Sequence, residues 1–118
     1  MTKSEYLNEV RYCDIEAETV EKIEKKYRCN LIEDLKRIVS FNADSIFFED
    51  GCRSLSTEEI LDADNDLHID FSNRNIIPII DCGENDFIVY HSANCNWSKF
   101  NVIDESVFKN RKTLDELL

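Results

Sequence analysis

The stretch Gly83–Asn101, "GENDFIVYHSANCNWSKFN", holds one of the two glycines, one of the two histidines, one of the five cysteines and the only tryptophan of the chain. Within it "DFIVY" reads as a β-strand, and "KFNVI", which runs just past its end, as another; both are rich in aromatic and β-branched residues. The polar loop "HSANCNW" joins them. Such a unit is either a strand–loop–strand carrying a Cys–His site or the architectural centre of a small domain. Trp97 divides the same way. It closes the core at the hairpin end, or it is presented as an interface anchor, a role in which tryptophan is enriched.

Working outward, "IIPII" (76–80) is a short, fully apolar strand, and Pro78 places it at an edge, at a bulge or near a strand end. "SIFFE" and "CRSL" form short strands around a turn at Asp50-Gly51. "STEEILDA" is a brief helix with Ser56 and Glu59 at capping-box spacing. The segment "DADNDLHIDFSNRN" is polar and irregular, with a strand expected over Leu67–Phe71. The first third is helical. A short turn opens at Ser4, and "DIEAETVEKIEKKYRCN" follows with Ile15, Val20, Ile23 and Tyr27 on roughly one face. Asp14 is its expected N-cap. Glu16 and Glu18 at its start and Lys25, Lys26 and Arg28 at its end complement the helix dipole. In "NLIEDLKRIVSFN" the pair Asn30/Glu33 resembles a capping box, and Leu31, Leu35, Ile38 and Val39 make an apolar stripe. "TLDELL" ends as a helical turn, with Thr113 and Glu116 at the same spacing.

Helices, then strands, then a terminal helical piece specify an α+β domain. The expected architecture is N-terminal helices on one face of a mainly antiparallel or mixed, curved sheet, with a short C-terminal helix. The 118 residues fit a single domain, 1–118. No apolar run approaches the ~20 residues of a membrane span. "MTKSEYLNEVRY" lacks the apolar segment of a secretory signal, so a cytoplasmic location is expected. Five widely spaced cysteines without a C-x-x-C then read as buried thiols.

The net charge is −11 and it is segregated. Residues 41–92 carry twelve acids against only Arg53 and Arg74, whereas the two ends are almost neutral. Such a centre repels nucleic acid and anionic membranes and attracts basic partners; solubility alone is the simpler account.

Chemistry finds little support. Asp62, Asp64 and Asp66 match the first ligand positions of a calcium loop, but Leu67 stands where glycine is needed and Asn73 where a bidentate glutamate is needed. Cys82, His91 and Cys95, with His68, lack the paired spacing of a structural zinc site. A thiolate at Cys82 or Cys95 is discouraged by the surrounding acids. Asp86 and His91 are five apart on one strand and so point to opposite faces. No phosphate-binding glycine motif is present.

The order of pieces resembles the SUKH superfamily, which includes the yeast cell-wall assembly regulator domain and many bacterial immunity proteins. "ETVEKIEKKYRCNLIEDLKRIVSFN" looks like its Glu/Lys-rich helix leading into a second helix, with Leu31, Leu35 and Val39 on the matching apolar positions. "SLSTEEI" follows, then "IIPIIDCGENDFIVYH" for the core motif and "NWSKFNVIDESVF" for the Trp-containing turn and closing strand. The resemblance spans roughly residues 14–118. Ile77, Pro78, Ile79, Gly83, Asp86, Phe87, Val89 and Trp97 match as fold-determining positions.

The resemblance implies a non-enzymatic binding module without cofactor or metal. Its bacterial members neutralise a cognate secreted toxin, often a nuclease or deaminase. Together with the charge, this makes a basic toxin domain the expected partner, bound through Asp62, Asp64, Asp66, Asp70, Glu84 and Asp86. A monomer or weak dimer is expected, with no role for nucleic acid or membrane. The alternative is a regulatory protein–protein interaction domain of the cell-wall assembly type. An enzyme using His91 and Cys95 stands third.

Overall fold

In the computed structural model, which describes all of Met1–Leu118, helix α1 (Lys3–Arg11) replaces the brief opening turn expected at Ser4. Thr2 and Glu5 form a reciprocal cap. The Glu5 N–H donates to Thr2 Oγ1 (3.1 Å) and the Thr2 N–H to Glu5 Oε1 (3.3 Å). Only Tyr6 and Val10 of α1 are buried, too few to show a helical period in the sequence. The Tyr6 hydroxyl donates to Asn42 Oδ1 (2.8 Å), tying α1 to the end of the helix Glu33–Phe41.

Helix α2 (Ala17–Tyr27) buries Val20, Ile23 and Tyr27 of the expected face, but Ile15 precedes the helix and is exposed. Asp14 is not its cap. Glu16 holds that position without a side-chain cap, and its own N–H donates to Ser40 Oγ (2.8 Å). Arg28, left-handed at φ 52°, ends α2. Helix α3 (Glu33–Phe41) starts after Ile32, and the Asn30/Glu33 box does not form. Glu33 pairs instead with Arg37 (3.0 Å), while Glu24 accepts the Leu31 N–H (2.8 Å) and satisfies the turn from α2.

The next helix, α4 (Thr57–Leu67), carries the expected Ser56/Glu59 box, formed in both directions. It runs on through Asp62, Asp64 and Asp66, which therefore lie on a helix and not on an irregular loop. The strand expected over Leu67–Phe71 is absent. Leu67 ends α4, His68 is left-handed (φ 56°), and Phe71 is fully buried with its ring 5.6 Å from that of Phe100. The alternating Leu67, Ile69 and Phe71 imitate a strand because a helix end and a turn point them in succession to the core.

Six strands form one sheet in chain order: β1 (Ile46–Phe47), β2 (Arg53–Ser54), β3 (Ile76–Gly83), β4 (Asp86–His91), β5 (Asn96–Asn101) and β6 (Val107–Arg111). All pairs are antiparallel, so no mixed sheet forms. Pro78 sits on an interior strand at a bulge between Pro78 and Ile80. The β2 ladder pairs with Ile80 and Asp81, and the Leu55 N–H extends it to the Ile79 carbonyl (2.8 Å). Pro78 lies beyond that end and is registered with Val89 of β4 beside the bulge, the kind of position at which a strand tolerates proline. Strand β6 was not anticipated, because four of its five residues are exposed and no apolar alternation marks it. Its partner β5 imposes the pairing. The C-terminal piece is a 3₁₀ turn, Leu114–Glu116, anchored by buried Leu114.

Ile76–Ile80 and Phe87–Tyr90 are buried without alternation. A sheet with one wet face would alternate buried and exposed residues. The centre of this sheet is therefore covered on both faces, not on one as expected. Phe87 borders a hollow with Leu55, Ala63 and Leu67, at and beside α4. Trp97 stands opposite Tyr90, three residues along β4 from Phe87 and hence on the other face. It borders a cavity with Leu7, Val10, Ile38 and Leu114.

Candidate functional site

The six carboxylates expected to bind a partner fall into different roles. Glu58, Asp62 and Asp66 follow one another at i, i+4 and i+8 on α4 and so form one stripe. All three are exposed, and none lies within ion-pair reach of a cation. Asp64 turns inward. Ser72 donates to it twice, from Oγ (2.6 Å) and from the backbone N–H (3.3 Å), and Lys26 of α2 stands 3.6 Å away. Asp64 thus helps to hold α4 on the Phe71 turn and is less available to a partner than Asp62 and Asp66. Asp64→Ala is expected to cost about 1–3 kcal/mol, the penalty for unpairing partly buried hydrogen-bonded groups, read by urea denaturation.

Asp70 accepts from Asn73 Nδ2 (2.7 Å) and shapes the same turn from its exposed side. Glu84 is exposed at the tip of the β3–β4 hairpin, in left-handed conformation (φ 53°) beside Asn85 (φ 68°). Half-buried Asp86 accepts from Asn101 Nδ2 (2.8 Å), and Asn101 in turn accepts the Asp104 N–H (3.1 Å). The α4 stripe and Glu84 therefore remain available; Asp64 and Asp86 are built into the frame.

An ion network missed by the charge count lies beneath the stripe. Arg53 of β2 donates to both carboxylate oxygens of Glu59 (2.6 and 2.7 Å) and to Ser45 Oγ (2.9 Å), with Asp81 at 3.6 Å. Burial pushes the Glu59 carboxyl up, but Arg53, Ser45 and the Ser56 N–H outweigh it and hold it at about 2. A depressed carboxylate stabilises the fold above its ordinary range, and that contribution is lost as pH falls from about 4.5 towards 2. Arg53→Met is expected to flatten the pH dependence of Tm across that window, as followed by circular dichroism. Asp66 and Asp81 border the same hollow as Arg53.

The residues of the Cys–His reading are dispersed. His91 stands opposite Ile76 at one end of the β3–β4 ladder, and Cys82 lies near the Gly83/Asp86 end. His91 Nε2 is 2.5 Å from buried Ser98 Oγ, and burial lowers its pKa. Cys95 is exposed in the β4–β5 turn; the other four cysteines are half-buried, none fully so. Burial, more than neighbouring acids, pushes the thiols of Cys13, Cys29, Cys52 and Cys82 up, Cys82 to about 12. No three His, Cys, Asp or Glu side chains converge to hold a metal.

Between α1, α3 and the C-terminal turn lies a cavity of about 470 Å³. Leu7, Val10, Ile38, Trp97 and Leu114 give it an apolar lining, and Arg11 and Lys112 with Asp34 and Asp115 contribute both charge signs. Its walls come from both ends of the chain, so no local motif announces it. Trp97 is 3% exposed, with its ring 5.1 Å from that of Tyr90 and steeply inclined to it. It belongs to the core.

No helix is long and apolar enough to cross a membrane. No protein-family model, no curated protein and no solved structure matches the chain.

Proposed function

We propose that this chain is a non-enzymatic immunity-type module that binds a basic cognate toxin domain, of the nuclease kind, in the cytoplasm. The observation that carries the proposal is the stripe Glu58–Asp62–Asp66. Like charges at i, i+4 destabilise a helix by roughly 0.2–0.5 kcal/mol per pair. Acids near a helix C-terminus also oppose the dipole, and the last turn of α4 has no basic residue. An arrangement this unfavourable to the free domain fits a surface kept for a cationic partner. The clefts of nucleases are cationic because they bind phosphate, and an acidic inhibitor fits such a cleft with fast, salt-sensitive association. The SUKH-like order of sequence motifs supports the same reading.

Co-expression with the product of the adjacent gene tests it. Rescue of growth together with co-purification is expected. A neighbour that is harmless and does not bind overturns the toxin assignment.

A further inference from the structure

The β2–β3 register places two cysteines face to face. Arg53 pairs with Asp81 and Ser54 with Ile80, and continuing that register one step past the end of β2 brings Cys52 opposite Cys82, where β3 carries a bulge against β4 between Asp81 and Gly83. The Leu55 N–H bonds the Ile79 carbonyl, which makes 55/79 a hydrogen-bonded pair. Pairs alternate in an antiparallel ladder, so 53/81 is again hydrogen-bonded, and 52/82 is a non-hydrogen-bonded pair. At that kind of position the Cα atoms approach to about 4.5 Å and the side chains come closest. Disulfides span Cα separations of roughly 4.4–6.8 Å, and the Cβ ranges of the two geometries meet near 4.5 Å. Both thiols are half-buried and free, and each perturbs the other's ionisation. Lys3, paired with Asp50, lies close enough to act on both.

We propose that Cys52 and Cys82 are a reversible dithiol/disulfide pair, oxidised by low-molecular-weight disulfides of the glutathione class, that staples β2 to β3. The thiolate of one cysteine attacks the small disulfide, forms a mixed disulfide and expels one small thiolate. The second cysteine, deprotonated, attacks the protein sulfur of that intermediate and expels the other. The protein gives up two electrons and two protons, and the small disulfide is reduced to two thiols. The closed loop runs from Cys52 to Cys82 and contains the whole of α4, with its exposed acidic stripe. Oxidation therefore cross-links the frame that carries α4 without touching the stripe. Burial raises both thiols, so exchange is slow at neutral pH and accelerates as the solution is made alkaline.

The test is incubation of the native Cys95→Ser protein with oxidised glutathione at mildly alkaline pH, followed by peptide mapping and thermal denaturation. A Cys52–Cys82 linked peptide is expected, with a rise in Tm on the order of 10 °C that reduction reverses. Cys52→Ser and Cys82→Ser should each abolish both the link and the rise. A stable glutathione adduct at either residue, a link through Cys13 or Cys29, or thiols that stay reduced while the fold is intact would each overturn the proposal. Growth rescue by the reduced protein is independent of this outcome, so failure here and failure of the toxin reading are separable.

Discussion

The triple reversal Asp62→Lys, Asp66→Lys and Glu84→Lys is expected to slow association with the basic partner by roughly 10- to 1,000-fold at low salt. The same change should remove most of the salt dependence of the association rate, because the steering field comes from these exposed, unpaired carboxylates. Dissociation should change less, since surface charges act mainly on encounter. The free domain should keep its stability or gain slightly. Lysines near the end of α4 complement the dipole that Asp66 opposes, and the Glu58/Asp62 repulsion becomes attraction while the 62/66 pair stays like-charged. Adding Asp64→Lys would confuse this experiment, because that carboxylate holds Ser72 and Lys26 and its loss also destabilises the fold. Stopped-flow association across a salt series, with urea denaturation of each variant, separates the two effects. A rate and salt slope equal to those of the parent would sink the acidic-surface reading.

Trp97→Ala should destabilise the fold by about 3–5 kcal/mol, the range for deleting a large aromatic from a core. That is a large fraction of the 5–15 kcal/mol that holds a typical domain together. Three contributions add. The indole is 3% exposed, its edge-to-face contact with Tyr90 is lost, and the space it leaves opens into the existing cavity of about 470 Å³. Trp97→Phe should recover part of the loss, because it keeps an aromatic against Tyr90. Urea denaturation followed by far-ultraviolet circular dichroism gives the difference. A loss below about 1 kcal/mol, with partner binding abolished, would return Trp97 to the role of interface anchor.

Much of the frame was legible in the sequence because its causes are local. The Ser56/Glu59 box, the turn at Asp50-Gly51 and the apolar runs in β3 and β4 each act over a few residues. The caps of α2 and α3 were misread for the opposite reason. The helices start at Ala17 and Glu33, later than caps at Asp14 and Asn30 need, and the N–H groups at their approaches bond Ser40 and Glu24, partners that no local spacing reveals. Strand β6 was invisible because its pairing is imposed by β5 across a turn, and few of its side chains need burial.

The acidic site was half legible. Composition identified the charged segment, but a carboxylate's availability depends on what folds against it. Helical geometry turns Asp64 inward while leaving Asp62 and Asp66 outside, although the three alternate in sequence with identical chemistry.

By itself the sequence determined the α+β order of elements, the segregation of charge and the central hairpin, because propensity, periodicity and formal charge belong to the chain. Only the tertiary structure decided that Trp97 is buried, that Asp64 and Asp86 serve the frame, and that Cys52 meets Cys82. Those depend on which residues distant along the chain become neighbours, and strand register and helix rotation set that.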